Sequence, residues 1–238
     1  MICSPTFTIV DAGDSALRAI VSGDDKIAVW KRVHALAEAL DKCSIPGLTG
    51  LAPTYDSVLV EFDPFTITHS SLKHTVRMIE SSLSDSDFGG QPSTFRVPVV
   101  YGGEHGPDLE LVARQLGITS ADLIRRHSEA PYTVRCFGSP AGSPMMDGPD
   151  LPAPVARLGE PRTKVPSRSV AIAGRQAIII ALQAPSGWPL IGQTPVDIVD
   201  PAGDRLTPYK PGDRFIFEPI DESSWDDYAG AKLEADHD

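Results

Sequence analysis

Proline and glycine repeatedly interrupt the chain beyond Tyr132, and this feature limits the possible fold more than any other. Proline lacks the backbone N–H that a helix needs, and the 22 prolines in the chain exclude long helices from this half. The segments between the interruptions are short and rich in residues that favour strands. We therefore expect a closed β-barrel or a sandwich. The predicted strands are 132–137, 168–173, 176–183, 195–199 and 213–219.

A strand, a glycine-rich turn and two short helices are expected just before the barrel. The strand ends at Tyr101, and the helix that follows "GGEHGPD" ends at Gly117. Backbone N–H groups in such a turn can hold an anion, but a tight strand-to-helix connection explains the same glycines. Next, "TSAD" at 119–122 resembles a capping box and predicts the start of another short helix before the barrel.

The first part of the chain predicts strands in alternation with two amphipathic helices. We expect a small α+β domain of ferredoxin-like type, followed by the barrel. The predicted strands are 7–12, 16–21, 47–53 and 57–63, and the second helix covers about 70–83. The predicted apolar faces are Ile27, Trp30, Val33, Ala37 and Leu40 in the first helix, and Leu72, Val76, Ile79 and Leu83 in the second.

A polar stretch rich in glycine, proline and serine at 84–93 is typical of a linker. It separates a predicted α+β domain at 1–90 from a barrel domain at 94–220. The last segment, 221–238, contains seven acidic residues and one lysine, so we expect a flexible acidic tail. A docking role for its Trp225 and Tyr228 remains an alternative.

The net charge of −11 limits the partners of this chain. Such a charge repels phosphate backbones, so neither nucleic acid nor an anionic membrane is expected. The start lacks a basic leader, and no apolar run reaches the ~18 residues of a membrane helix. Cys3, Cys43 and Cys136 show no paired spacing for zinc or disulfides. We expect a cytoplasmic protein in a reducing compartment, without a metal of its own.

The sequence lacks the motifs of a self-sufficient hydrolase. There is no G-x-S-x-G nucleophile elbow, no H-E-x-x-H zinc motif and no phosphate-binding G-x-x-x-x-G-K-[ST] loop. Glu104, His105 and Asp108 lie close in sequence, but such a trio in a loop is usually only polar. The chain is therefore expected to bind no cofactor itself.

Two polar residues each allow a structural and a functional interpretation. His127 ends a short helix before the first predicted barrel strand, where it can satisfy free carbonyls. Alternatively it is an acid/base or substrate-orienting group at the barrel rim. Arg162 follows a proline in a constrained loop, and its guanidinium suits the carboxylate of a ligand or of a partner.

Many spaced stretches of this chain resemble one family. The resemblance runs from about Gly13 to Ile220, and the chain is similar to the KipI-like proteins, also called allophanate hydrolase subunit 1 or the 5-oxoprolinase B subunit. The matching stretches are Gly13-Asp14, "DPF" (63–65), "VYGGEHGPDLELVA" (100–113), His127, Tyr132, "PR" (161–162), "VPSRSVAIAG" (165–174), Gln176, "SGWPLIGQTP" (186–195), "VDP" (199–201) and "PGDRFIF" (211–217).

The resemblance implies a cyclophilin-like barrel and a role in a multi-chain enzyme. The implied partners are a subunit-2 or KipA-like protein and a lactam-utilisation-type subunit, and the implied reaction is the ATP-dependent opening of 5-oxoproline to glutamate. ATP is then needed by the complex rather than bound by this chain. Two alternatives remain: a regulatory protein that inhibits a sensor histidine kinase, and an inactive module of the allophanate hydrolase or urea carboxylase type.

The chain departs from the family around the barrel pocket. "GSPAGSPMM" (138–146) replaces an aromatic, glycine-rich segment, and "GRQAIIIA" (174–181) replaces a segment with Thr-Gly-Ile-Tyr. Lost rings remove rigid stacking area, so a changed ligand or partner contact and a lost one are both compatible with the sequence. The candidate catalytic residues are His127, Arg162 and Gln176. The candidate pocket or partner-binding residues are Tyr132, Phe137, Pro140, Ser169, Ser186, Trp188 and Thr194.

Overall fold

The chain folds into two compact units that meet in sequence between residues 91 and 92. The computed structural model describes residues 6–83, 88 and 90–236. The boundary lies next to the predicted end of the first domain at residue 90. The predicted linker falls partly outside the described residues, at 84–87 and 89. No helix in the described ranges combines the length and the apolar character that a membrane crossing requires.

The first unit is an antiparallel four-stranded sheet with two helices against one face. Its elements are β1 (Thr8–Asp11), β2 (Ala16–Ile20), α1 (Lys26–Lys42), β3 (Leu48–Pro53), β4 (Ser57–Phe62) and α2 (His69–Ser82). The strand order is β1-β2-β4-β3. Leu17 pairs with Val60 and Ala19 with Val58, and these side chains share one core with both helices.

Each helix of this unit begins after a residue whose side chain caps the first turn. The Asp25 carboxylate accepts hydrogen bonds from two backbone N–H groups in the first turn of α1, each at 3.0 Å. At the start of α2, Thr68 Oγ1 accepts from the N–H of Ser71 at 3.2 Å. The predicted apolar faces are buried or half-buried, except that Ile27 is 44% exposed in the first turn of α1.

The ferredoxin-like type is not confirmed for this unit. That type follows the order βαββαβ, whereas the elements here follow the order ββαββα. Strands β2 and β3 flank β4 and are joined through α1. Hydrophobic periodicity predicted the sheet and the helices of this unit, but it carries no information on the order of the strands in the sheet.

The second unit contains a closed seven-stranded barrel, which fits the implied cyclophilin-like type. Its elements are β5 (Thr94–Tyr101), α3 (Leu109–Leu116), α4 (Ser120–Ser128), β6 (Tyr132–Gly138), β7 (Ser143–Asp147), β8 (Arg162–Val165), β9 (Ser169–Ala173), β10 (Gln176–Ile180), β11 (Ala184–Ser186), β12 (Leu190–Gln193), β13 (Arg214–Pro219), a 3-10 helix (Glu222–Ser224) and α5 (Trp225–Tyr228). The barrel order is β10-β7-β6-β13-β5-β12-β9, and β9 pairs back to β10. Strands β8 and β11 form a separate two-stranded sheet.

The predicted strands agree with the structure only in part. The predicted strand at 195–199 is replaced by a single bridge of Asp197 to Lys232. Four observed strands were missed: β7, β8, β11 and β12. These segments are three to five residues long, and β7 ("SPMMD") and β11 ("APS") contain proline rather than runs of β-branched residues.

Residues 221–236 are folded against the barrel, which corrects the prediction of a flexible tail. Leu233 is 5% exposed and belongs to the barrel core. Lys232 and Ala235 form backbone bridges to Asp197 and Phe95, respectively. The prediction failed because it counted charges, whereas one apolar side chain and a few backbone pairs hold the segment.

We predict that Leu233→Ala lowers the free energy of unfolding of the second unit by about 2 to 4 kcal/mol, because it removes a buried side chain. Urea unfolding of the whole chain measures this change. Glu234→Ala is the matched control, since Glu234 is exposed and should have little effect. Equal stabilities of the two variants would show that the segment contributes nothing to the barrel.

Candidate functional site

Strand β10 separates the barrel core from a second apolar cluster. Ala177 and Ile179 belong to the core inside the barrel. Ile178 and Ile180 belong to an outer cluster, which also contains Val165, Ala171, Leu190, Met145 and Trp188. Successive side chains of a strand point to opposite faces, so the outer cluster lies on the outside of the barrel. One strand therefore serves both the core and a surface site.

A pocket of about 170 Å³ opens beside the outer cluster. Sites for drug-sized ligands are roughly 300–1,000 Å³, so this pocket suits a small molecule. A cavity of about 220 Å³ elsewhere in the unit, among residues 197–208 and 232–233, contains none of the predicted site residues. The pocket is lined by Ser139, Pro140, Met145, Arg157, Ile178, Ile180, Pro185, Ser186 and Trp188.

Trp188 and Arg157 give the pocket its chemical character. The N–H of Trp188 donates to Ser186 Oγ at 3.1 Å, which fixes the turn that carries the indole. The guanidinium carbon of Arg157 lies 5.7 Å from the ring centre, within cation–π range. In the described part of the chain, Arg157 has no ion-pair partner. The pocket thus combines a positive charge, a ring face and two serine hydroxyls.

The turn between β6 and β7 is fastened to the end of β10. The buried Ser143 Oγ accepts a hydrogen bond from the N–H of Ala181 at 3.0 Å. Within the turn, the N–H of Ser143 donates to the Pro140 carbonyl at 3.0 Å. These bonds hold Ser139 and Pro140 against the same strand that supplies Ile178 and Ile180.

Three of the predicted pocket residues line this pocket: Pro140, Ser186 and Trp188. Ser169 and Thr194 are buried and hold local turns instead. Ser169 Oγ donates to the Pro166 carbonyl at 2.9 Å, and Thr194 Oγ1 accepts from the N–H of Val196 at 3.2 Å.

Phe137, Tyr132 and Gln176 lie outside the pocket lining. Phe137 is 42% exposed, and its ring centre is 6.0 Å from that of Tyr209. Tyr132 belongs to the barrel core. Gln176 begins β10, four residues before Ile180 and hence ~13 Å away along the strand.

Arg162 is bound to a carboxylate of its own chain. Its two terminal nitrogens donate to the two oxygens of Asp108 at 2.7 and 2.8 Å. The hydrogen bond with Asp108 raises the pKa of Arg162 above its usual value. Asp108 also accepts from the N–H of Leu190 at 2.8 Å. Both terminal nitrogens therefore act within the chain, and a substrate-orienting role for Arg162 stays a prediction.

His127 is fully buried in the barrel unit. Its Nδ1 shares a hydrogen bond of 2.7 Å with the hydroxyl of Tyr101, and its ring packs 4.4 Å from Phe217. Burial lowers the pKa of His127 to about 3, so the ring is neutral near pH 7. Its Nε2 has no hydrogen-bond partner among the described residues. This geometry matches a core histidine rather than a group at the rim.

Sequence reasoning missed Arg157 and Pro185 as lining residues. Arg157 lies in a loop between β7 and β8 where no motif distinguishes it from a solvated arginine. The fold brings that loop beside Trp188, and the sequence contains no signal of this contact. In the described ranges, no group of three or more His, Cys, Asp or Glu residues could hold a metal ion.

We predict that acid weakens the barrel unit through His127. The unfolded histidine, with a pKa near 6.5, takes up a proton more readily than the folded one. The stability contribution is complete above about pH 6.5 and is lost as the pH falls toward 3, by up to about 1.4 kcal/mol per pH unit. Hydrogen exchange of barrel amides at pH 7 and pH 5 measures it. His127→Gln should reduce this dependence, while the exposed His74→Gln should keep it.

We predict that Arg162→Ala lowers the free energy of unfolding by about 2 to 3 kcal/mol, because Asp108 then keeps its buried charge without two of its donors. Faster exchange of the Leu190 amide should accompany the loss. Arg162→Lys should recover part of the stability, since it restores the charge but not the paired geometry. Unchanged stability in Arg162→Ala would mean that Asp108 does not depend on this arginine.

The sequence and the fold can be compared with known proteins. Residues 7–209 match the model of the carboxyltransferase domain, subdomain C and D. The 5-oxoprolinase B subunit of Bacillus subtilis (strain 168) is 29% identical over 231 residues, which cover 93% of this chain and 96% of that protein. The B subunit of the Haemophilus influenzae 5-oxoprolinase is 36% identical over 165 residues, 68% of this chain and 76% of that protein.

A solved structure supports the fold independently. The Kluyveromyces lactis urea carboxylase superposes with a TM-score of 0.79 at 20% identity, over 98% of this chain and 24% of that chain. At this identity the likeness shows the fold alone. Because the family model spans most of the sequence and the curated relatives agree with it, the chain belongs to the carboxyltransferase subdomain C and D family, in the group of KipI-like proteins and 5-oxoprolinase B subunits.

Proposed function

We propose that this chain is the B component of a 5-oxoprolinase-type complex, to which it contributes the pocket at Trp188. The proposed reaction converts 5-oxo-L-proline, ATP and two water molecules to L-glutamate, ADP and phosphate. One water opens the lactam C–N bond, and the other is consumed in the hydrolysis of ATP. The names of the curated relatives support membership of such a complex.

The observation that carries the proposal is Arg157 above Trp188 at a small pocket. 5-Oxoproline is a flat five-membered lactam with one carboxylate. The lactam ring suits the indole face and the apolar lining of Ile178 and Ile180, and the carboxylate suits the guanidinium. Arg157 then takes the carboxylate-orienting role that the sequence assigned to Arg162.

The remaining candidate catalytic residues lie outside the pocket. Arg162 fixes Asp108 and thereby the start of β12. His127 is neutral and packed in the barrel unit, so in this proposal it supports the fold rather than relays a proton. Gln176, the third candidate catalytic residue, lies at the other end of β10, and a catalytic role for it stays a prediction.

The chemistry requires other chains. This sequence contains no phosphate-binding loop and no nucleophile motif, so a subunit-2 or KipA-like partner and a lactam-utilisation-type subunit would supply the ATP site and the reacting groups. The contribution of this chain is position and exclusion of water, and well-oriented reactants can gain roughly 7 to 11 kcal/mol. ATP is a cytoplasmic substrate, so the proposal places the complex in the cytoplasm.

Reconstitution with the two candidate partner chains tests the assignment. ATP hydrolysis that depends on 5-oxoproline should require this chain, and its omission should abolish the coupled activity. Activity that is the same without this chain would contradict the proposal. Turnover of 5-oxoproline by this chain alone would contradict its dependence on partners.

We predict that Arg157→Ala raises the KM for 5-oxoproline about 10-fold in the complex, with a smaller change in kcat, because it removes the charge that meets the carboxylate. Arg114→Ala is the matched control, since Arg114 is an exposed arginine on α3 that pairs with the exposed Glu110. Both variants should assemble equally well by gel filtration. The same KM in Arg157→Ala and Arg114→Ala would exclude this pocket as the carboxylate site.

A further inference from the structure

Three separate loops of the barrel unit meet under the C-terminal segment. His105 follows β5, Gln193 ends β12, and Arg168 precedes β9. His105 Nδ1 and Gln193 Oε1 are 2.9 Å apart, and the Gln193 amide in turn donates to the Ser167 carbonyl at 2.9 Å. We call His105, Arg168 and Gln193 the clamp.

The C-terminal segment places a ring and a carboxylate on the clamp. The Trp225 indole stacks on His105 with ring centres 4.4 Å apart and an interplanar angle of 24°. The guanidinium carbon of Arg168 lies 5.8 Å from the centre of the same indole. Glu222 places a carboxylate oxygen 3.6 Å from His105 Nε2. The contact is therefore both aromatic and electrostatic.

Arg168 has an unusual backbone and an unsatisfied nitrogen. Its φ of 68° lies in the left-handed region, which is strained for a residue with a side chain. Its Nη1 donates to the Pro195 carbonyl at 2.9 Å and to Asp197 Oδ1 at 3.3 Å, while its buried Nε has no acceptor in the described part of the chain. Strained backbone clusters at functional sites, and a buried donor without a partner in a native protein calls for an explanation.

The segment that covers the clamp is weakly held there and firmly held beyond it. The 3-10 helix and α5 contain no buried residue. By contrast, Leu233 is buried in the barrel core. Segments with few buried contacts open at lower free energy than the core. Beyond α5, the Ala231 carbonyl accepts a hydrogen bond from the N–H of Asp197 at 2.8 Å. Residues 221–229 can therefore lift while the chain remains tethered at Ala231 and Leu233.

We propose that the clamp is a binding site for an acidic, aromatic peptide segment of a partner polypeptide, and that residues 221–231 occupy it in cis. The bound segment shows the required chemistry: an indole against the imidazole and guanidinium, and a carboxylate facing His105. A partner carboxylate that reaches Arg168 Nε gains a hydrogen bond that the cis segment does not make. This inference does not rest on the proposed 5-oxoproline activity.

A labelled synthetic peptide of residues 221–231 tests the site in trans, with the full-length protein. Wild-type protein should bind it weakly, because its own segment fills the clamp and only the open fraction is competent. Trp225→Ala in the protein should raise the affinity at least 10-fold in fluorescence anisotropy. Tyr228→Ala is the matched control, since Tyr228 lies in the same short helix, 40% exposed, and should leave the affinity unchanged.

Two further measurements separate recognition from general loosening. The peptide that carries Trp225→Ala should bind the Trp225→Ala protein at least 10-fold more weakly than the unmodified peptide. Adding His105→Ala to that protein should abolish binding, with folding checked by circular dichroism. Hydrogen exchange should increase across 222–229 but not across 232–236 in the Trp225→Ala protein.

Equal affinity of the wild-type and Trp225→Ala proteins for the peptide would overturn the proposal, because the cis segment would then not compete. Absence of binding to the Trp225→Ala protein at millimolar peptide would also overturn it. Binding that survives His105→Ala would place the peptide elsewhere and equally reject the clamp.

Discussion

The buried carboxylate of Asp108 joins three parts of the barrel unit that are distant in sequence. It receives two hydrogen bonds from Arg162 in β8 and one from the N–H of Leu190 in β12. Its own N–H donates to the Leu190 carbonyl at 2.9 Å, immediately before α3. An 8% exposed side-chain charge is tolerable only when it is paired and hydrogen-bonded in this way. The two-stranded sheet over the outer cluster and the pocket at Trp188 both depend on this arrangement.

The sequence predicted layers and faces better than it predicted order and register. The two helices of the first unit and the barrel class followed from periodicity and proline content. The strand order of the first unit did not follow, since nothing local records which strands become neighbours. Short strands such as β11 were missed because three residues carry no measurable alternation.

The part of the candidate site that lies on a turn could be predicted from the sequence. Ser186 and Trp188 lie in a stretch whose turn could be identified, and both line the pocket. Arg157 could not be predicted as a pocket residue, because no sequence pattern marks a loop arginine that tertiary structure brings next to an aromatic ring. His127 and Arg162 were recognised as special, but their partners Tyr101 and Asp108 come from other elements. Sequence identified unusual residues without showing what they contact.

The C-terminal segment shows how composition can mislead about order. Most of its described acidic residues are exposed as expected, yet Leu233 and the stacked Trp225 hold the backbone in place. Charge density describes the average of a segment, whereas docking depends on one or two side chains that find complementary surfaces.

The two-sided use of β10 has a consequence for how this protein can diversify. Odd-numbered positions (177 and 179) fill the interior, while even-numbered ones (178 and 180) face the outer cluster and its pocket. Substitutions at the even positions can therefore change the lining of the pocket without opening voids in the interior. Evolution can thus vary one surface of this strand while the scaffold stays intact.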